Sequence, residues 1–481
     1  MTQETRWLAW GLIPLTGLVG FWLQGMPPSV DLAAHAAQFE TLKGLLQGDP
    51  LLGDTYGWHV PLGYGLEYAL FLPVAFIWNG AVAAKLVMCV GTVLLPVATW
   101  ALLRALHRSG SLAWLAAPWL FSMSTWYGLL SGVVAVPLVL FCLAANLRLL
   151  EQPSRRRFAL ACALMLATSA THLLAFAVLC VLSLVALAVE PVHRAHARWL
   201  VLPLVAPTLI VLPKVYFLAA CAVHPGHSPP TEYAAMPHLM WFFRNEQVEG
   251  LLGVAGPIAL TLVLLALWVR HRAQEPRLPL ALFITAVVLY VLTPKTLSGI
   301  FLACVRLPVF AGLLSLGLVD VGRLPRRALV FIGSLTAISL FESAHFAQAF
   351  RNETQGLEAC LSHRASRHGW INLGPKTVLG SRNPYAMHLG QWVTAIQGGR
   401  GNGFFADAPH HPVHFQEGRA LPDELGEFTA RQLGELDEIY VFGAGPLPAS
   451  LDGFRLASTC EHWRRLDRAP PSGQANRETP R

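Results

Sequence analysis

Charged side chains are scarce in this chain: Asp, Glu, Lys and Arg make up 13% of its 481 residues, while 54% are hydrophobic. A soluble domain carries about 25% charge, so a large soluble protein is excluded, and apolar runs of roughly 18 residues or more point to a polytopic membrane protein. Cysteines with metal-ligand spacing are also missing. Six of the eight (Cys89, Cys142, Cys162, Cys180, Cys221, Cys304) lie in or beside apolar runs as small buried hydrophobes, so no metal site is implied. Neither an internal repeat nor a charge pair deep in a span is present, and a transporter is expected to show both. The net charge of +7 calls for no nucleic acid. Its basic residues fall in short clusters between apolar runs: Arg104 and Arg108, Arg155 to Arg157, Arg194 with Arg198, Arg270 with Arg272 and Arg277, and Arg323 with Arg326 and Arg327. That is the distribution expected of cytoplasmic loops.

What is present divides the chain. The apolar runs stop near Leu340 and about 140 residues of globular composition follow, so a transmembrane domain over 1–345 and a soluble domain over 346–469 are expected. The polar tail, 470–481, is expected to be disordered. The N-terminal apolar run ends well before the small-x-small triplet Ala34-His35-Ala36, and suits an uncleaved anchor. Between the first span and the next lies a polar island, 26–65, that concentrates Asp31, His35, Glu40, Asp49, Asp54 and His59. Ionisable groups held against a bilayer are a functional signal.

The intervals between basic clusters each accommodate two crossings: 111–125 with 130–149, 158–172 with 174–190, 199–218 with 250–269, and a further pair around Thr293-Pro294-Lys295-Thr296. With the first span, 83–103 and a last span at 327–343, about 11 crossings are expected, and parity puts the N-terminus in the cytoplasm and the C-terminal domain outside. The same parity places the island, the turn Thr125 to Gly128, His172, the loop His224 to Glu249 and Lys295 on the outer face. The aromatic stretch 62–79, interrupted by Pro73, is read as an outer juxtamembrane or re-entrant helix; the alternative puts Arg104 and Arg108 outside.

Apolar spacing in VDLAAHAAQFETLKGLL predicts a surface-lying amphipathic helix with Asp31 and His35 on one face. Asp31 either caps that helix or presents a carboxylate for chemistry. A span, an outer loop opening on an acidic residue, a helix ending in Gly48-Asp49, and the approach Tyr56-Gly57-Trp58 and Pro61-Leu62-Gly63-Tyr64 together resemble the GT-C superfamily of polyprenyl-phosphate-sugar-dependent glycosyltransferases. The likeness covers 7–345 in architecture and 25–105 in local pattern. It implies a GT-C-like helical membrane fold, a polyprenyl-phosphate-linked sugar donor, and a catalytic acidic residue at Asp31, which would serve as the base; His35 either orients it or the acceptor, or anchors the helix. The paired carboxylates of metal-dependent members are missing, so no motif supports a divalent metal and no cofactor is expected.

Sugar transfer from a lipid phosphate needs a base at the acceptor and a cation at the departing phosphate. Arg306, expected about a third of the way along a span, either forks onto that phosphate, pairs within the bundle or snorkels. Lys295, His172, His59 and Tyr64 complete the candidate substrate-binding set, with a structural role open for His172. The loop holding His224, His227, Glu232, Tyr233 and His238 has no metal spacing and is read as a lid. In the C-terminal domain, strands are expected at 370–373, 438–442 and 453–458 and a helix near 421–435, which makes a small α/β or α+β fold. The turn Gly398 to Gly403 opens no helix and is not a nucleotide loop. Cys360 and Cys460 are either a disulfide or two free thiols. The sequence therefore points to a glycosyltransferase in a bacterial inner membrane, acting on membrane lipid; the alternative is a transporter or flippase for an amphipathic substrate.

Overall fold

The apolar runs become helices whose lengths decide what each can do. The computed structural model describes residues 22–60, 63–121, 123–223, 251–271, 276–294, 306–320, 326–362, 364, 366–374, 387–402, 411–416, 419 and 428–469. The first span, the loop His224 to Glu249, Lys295 and the tail lie outside the described residues. The helices used below are α1 (Leu32–Leu46), α2 (Pro50–Gly53), α3 (Leu66–Ile77), α4 (Gly80–Ala105), α5 (Leu130–Glu151), α6 (Arg155–Thr171), α7 (Leu173–Val189), α8 (Arg198–Val223), α9 (Leu251–His271), α10 (Arg277–Leu292), α11 (Pro308–Ser315), α12 (Arg326–Thr354) and α13 (Gln391–Gln397). Among the described residues three helices, in α4, α5 and α12, are long and apolar enough to cross a membrane. The count of about 11 crossings is therefore not established, because α7 and α10 at 17 and 16 residues rise only about 25 Å each against a core of about 30 Å. Helix α3, with 12 residues, rises about 18 Å and is too short to cross.

Contacts divide the chain into two units: Met1–Gln24 with Pro61–Leu70 and Leu86–Ala347, and Gly25–Val60 with Phe71–Lys85 and Gln348–Arg481. In the first, polar bonds sew the helices together where an apolar surround makes an unpaired group costly. Asn146 Nδ2 on α5 donates to Ser183 Oγ on α7 at 3.0 Å. The basic ends of the helices gather at one end of this unit: His107 meets Glu151 at 2.8 Å, His196 Nδ1 meets the Leu150 carbonyl at 2.7 Å, and buried Arg108 donates from Nε to the Gly317 carbonyl at 2.9 Å. The expected α-helical crossing at 111–125 is instead a 3-10 helix, Gly110–Phe121, followed by the single turn Met123–Trp126. Enclosure makes this possible: Leu112, Leu115 and Ala116 are buried, and Trp119 sits so close to Gly312 of α11 that a Cβ there would meet its ring at 1.9 Å. Helix α12 behaves oppositely and exposes Val330, Phe331 and Phe341, an apolar face suited to lipid.

The second unit is a five-stranded mixed sheet with helices. Strands β2 (Ser366–Asn372), β3 (Gly399–Arg400), β5 (Glu438–Phe442), β6 (Phe454–Cys460) and β7 (Trp463–Arg468) lie in the order β3-β2-β5-β7-β6, with β2 parallel to β3 and β5 and the rest antiparallel. β2, β5 and β6 fall where the pattern expects strands. β7 escapes it because WRRLDR buries Trp463 and Leu466, three apart, and lacks a period of two. Of the helix expected near 421–435, the described residues hold only Ala430–Gly434, opened by a Thr429 capping box; 421–427 lie outside them. Cys360 and Cys460 form a disulfide, Cα atoms 5.7 Å apart. The polar island belongs to this unit: α1 packs on α13, and β1 (Tyr56–Trp58) pairs antiparallel with β4 (Val413–Phe415). The expectation of a surface-lying α1 fails for that reason, since twelve of its fifteen residues are buried, His35 and Glu40 included.

Candidate active site

Asp31 occupies the N-cap position of α1, yet its side chain makes no capping hydrogen bond. The capping role is thus not what the carboxylate does. Oδ1 lies 3.6 Å from Nε2 of His388, a buried residue one turn ahead of α13. Burial pushes His388 down to about 4, so its ring is neutral near pH 7 and the approach is a polar contact, not an ion pair. Gln391 Nε2 sits 3.4 Å from Nδ1 and donates to it, which leaves the ring proton on Nε2, aimed at Asp31. His35, one turn on, has its ring 5.2 Å from that of His411. Glu40 is structural: it accepts from the Gly80 amide at 2.8 Å and meets Lys43 at 2.5 Å, while burial raises its carboxyl above the ordinary range. Asp49 is likewise structural, accepting from Leu51 N to open α2 after the left-handed Gly48. His59 faces His414, their Nδ1 atoms 3.3 Å apart.

In the first unit a second group forms around the joint of α6 and α7. His172 is that joint, C-cap of one helix and N-cap of the next. Arg306 approaches its Nε2 from Nη1 at 2.6 Å, and Ala175 N lies 3.3 Å from Nδ1. A neutral imidazole offers one lone pair, so it cannot accept both; the shorter, charge-assisted bond takes Nε2, and the ring proton rests on Nδ1. Arg306 stands two residues ahead of the eight-residue α11; the residues just before it lie outside the described ones, and with them the span expected to carry it. Tyr64 puts its ring edge-on to His172 at 5.0 Å, positioned by a turn in which Gly63 has φ +81° and Gly65 N donates to the Ala170 carbonyl. Burial pushes the Tyr64 phenol up to about 12 against the opposing pull of Arg306. Glu67, fully buried in the first turn of α3, is pushed up to about 8 by burial. Beside His172 and Arg306, Gly132, Ala135 and Val136 of α5, Leu174 of α7 and Phe310 of α11 line a small, mostly apolar crevice.

Of the residues expected at the site, Asp31, His35 and His59 fall in the second unit and Tyr64, His172 and Arg306 in the first. His388, His411 and Glu67 were missed. The two histidines come from loops far along the chain with no motif of their own; the Glu67 carboxylate, inside an apolar helix, was a legible signal. Among the described residues no group of three or more His, Cys, Asp or Glu is arranged to hold a metal.

The overall fold has counterparts among solved structures. It is similar to that of ArnT from Cupriavidus metallidurans, a GT-C glycosyltransferase, in two crystal structures: the apo state (TM-score 0.57) and the protein bound to undecaprenyl phosphate (TM-score 0.55). Identity is 12% in both; the likeness covers 97% of this chain and 98% and 99% of those. No protein-family model matches the sequence, and no curated protein does.

Proposed function

We propose that this chain is an integral-membrane glycosyltransferase of the bacterial inner membrane that moves a sugar from a polyprenyl-phosphate donor to an extracytoplasmic acceptor. Asp31 takes the proton of the acceptor hydroxyl as the oxygen attacks the anomeric carbon, and the bond from that carbon to the phosphate oxygen breaks. The leaving polyprenyl phosphate keeps the electron pair and needs a cation; within the first unit Arg306, held by His172, is the candidate to bind such a phosphate. His35 and His388 orient the carboxylate, and the reaction so written uses no metal. Support comes from the fold, which a protein crystallised with undecaprenyl phosphate shares.

One observation carries the reading: a carboxylate at a helix N-cap that does not cap, and meets instead the N–H of a buried neutral histidine. The test is single-turnover sugar transfer by purified Asp31→Asn protein in nanodiscs beside a thermal-unfolding scan. Asn keeps the shape and has no cap bond to lose, so stability should hold while turnover falls about 10² to 10⁴-fold. Intact transfer would remove Asp31 from the mechanism.

A further inference from the structure

Arg400 is a buried cation that the proposed reaction does not use. It is 7% exposed and ends β3 in the turn Gly398-Gly399-Arg400-Gly401-Asn402. Nη1 meets Glu435 Oε2 at 3.1 Å, but Nε and Nη2 are buried and make no hydrogen bond among the described residues. Glu435 is itself shared with exposed Arg431 at 3.7 Å, so the three side chains keep one net positive charge. A buried donor left unpaired in a folded protein demands a physical reason.

The turn holds Arg400 in place without help from its side-chain partners. Gly398 and Gly399 have φ of +76° and +92°. A Cβ at Gly399 would lie 2.3 Å from the Ser366 carbonyl, and one at Gly401 would lie 2.2 Å from Thr394 Oγ1. Asn402 Oδ1 accepts from Trp370 N at 3.0 Å, and the buried Tyr56 hydroxyl donates to the Gly401 carbonyl at 2.6 Å. The backbone is locked while one edge of the guanidinium is buried without a hydrogen-bond partner among the described residues. That edge, Nε with Nη2, is the fork that takes two oxygens of an oxyanion side by side.

We propose that Arg400 anchors a binding site for a monoanionic phosphate group, free or on a lipid head group, made by the Nε and Nη2 edge and the rigid turn Gly398–Asn402. A monoanion matches the single net charge of Arg400, Glu435 and Arg431. The site shares no residue with the donor-phosphate group around Arg306 and does not depend on the proposed reaction.

The test removes the other cation first. Full-length Arg306→Ala protein, in nanodiscs of phosphatidylcholine, is followed by amide hydrogen exchange over Gly398–Asn402 with inorganic phosphate, with chloride at equal ionic strength, and with phosphatidylglycerol added to the bilayer. Phosphate or phosphatidylglycerol should slow exchange about fivefold or more relative to chloride. A response to phosphate alone assigns a soluble ligand, and a response to phosphatidylglycerol alone assigns a lipid. In Arg400→Gln protein that protection should vanish, and Arg400→Lys, which keeps the charge without the fork, should retain little of it. Exchange no slower than in chloride in both arms overturns the proposal even if Arg400→Gln fails to fold; so does protection that survives in folded Arg400→Gln protein.

Discussion

At Arg306 the geometry of the guanidinium decides more than its charge. One nitrogen is committed to His172, and a lysine could supply a charge there but not a second parallel N–H. Arg306→Lys should therefore weaken polyprenyl-phosphate binding about tenfold, measured by titration in nanodiscs, with folding unchanged. Equal affinity in Arg306→Ala would leave the residue a structural partner of His172. The buried histidines of the second unit make a separate, pH-dependent statement. His368, with Nε2 2.8 Å from Thr394 Oγ1, is pushed down to about 4 by burial, as is His388. Unfolded, each takes a proton near pH 6.5. The unfolded state thus binds more protons between about pH 6.5 and 4, and stability present above that window is lost as pH falls through it, by about 3 kcal/mol per histidine at the limit. Denaturant titrations read by the second unit's tryptophans should show that slope, and His368→Asn should flatten it; a slope unchanged in the variant would refute the assignment.

Helix α1 shows how an element can be legible in its extent and not in its surroundings. The apolar spacing of VDLAAHAAQFETLKGLL and the Gly48-Asp49 turn marked both its ends, because capping and left-handed glycine act within a few residues. Its burial on α13, and the meeting of Asp31 with His388, depend on residues some 350 positions later, which periodicity cannot reach. The 3-10 helix Gly110–Phe121 was hidden for a related reason: hydropathy reports an apolar stretch and says nothing of how tightly it is wound. The start of α4 is the tightest of these contacts. A Cβ at Gly80 would lie 2.2 Å from the Ala36 carbonyl and 2.7 Å from Glu40 N, both backbone atoms that cannot turn aside. Gly80→Ala should lower stability by about 1–3 kcal/mol and also lower activity, because the shift falls on the helix that carries Asp31 and His35. A thermal scan and a transfer assay on one preparation check both.

For the whole molecule the open question is which face meets which compartment. Charge parity expects single cysteines at Asp54 and Gln416 to react with an impermeant maleimide from outside the cell and one at Ser154 to be protected. Labelling at Ser154 from outside would invert the orientation of every outer residue. The Cys360–Cys460 disulfide, which closes a separation of 100 residues, bears on the same question, since it forms in an oxidising compartment. Replacing both cysteines by serine should cost about 4 to 5 kcal/mol on the chain-entropy account, read as a drop in thermal midpoint, and the wild-type thiols should resist alkylation until reductant is added.

Composition and local order by themselves determined that the chain is a helical membrane protein with a C-terminal sheet, and where α1, α3, α4, β2, β5 and β6 fall. These follow from hydropathy, spacing and capping, which act over a few residues. Only the tertiary structure decided that Asp31 does not cap its helix, that Arg306 stands on His172 ahead of a short helix, that the Cys360 and Cys460 thiols are joined, and that Arg400 is buried with its Nε and Nη2 donors unspent. Each of these depends on where a distant backbone brings a second side chain, and a burial or a shared proton exists only once both partners are in place.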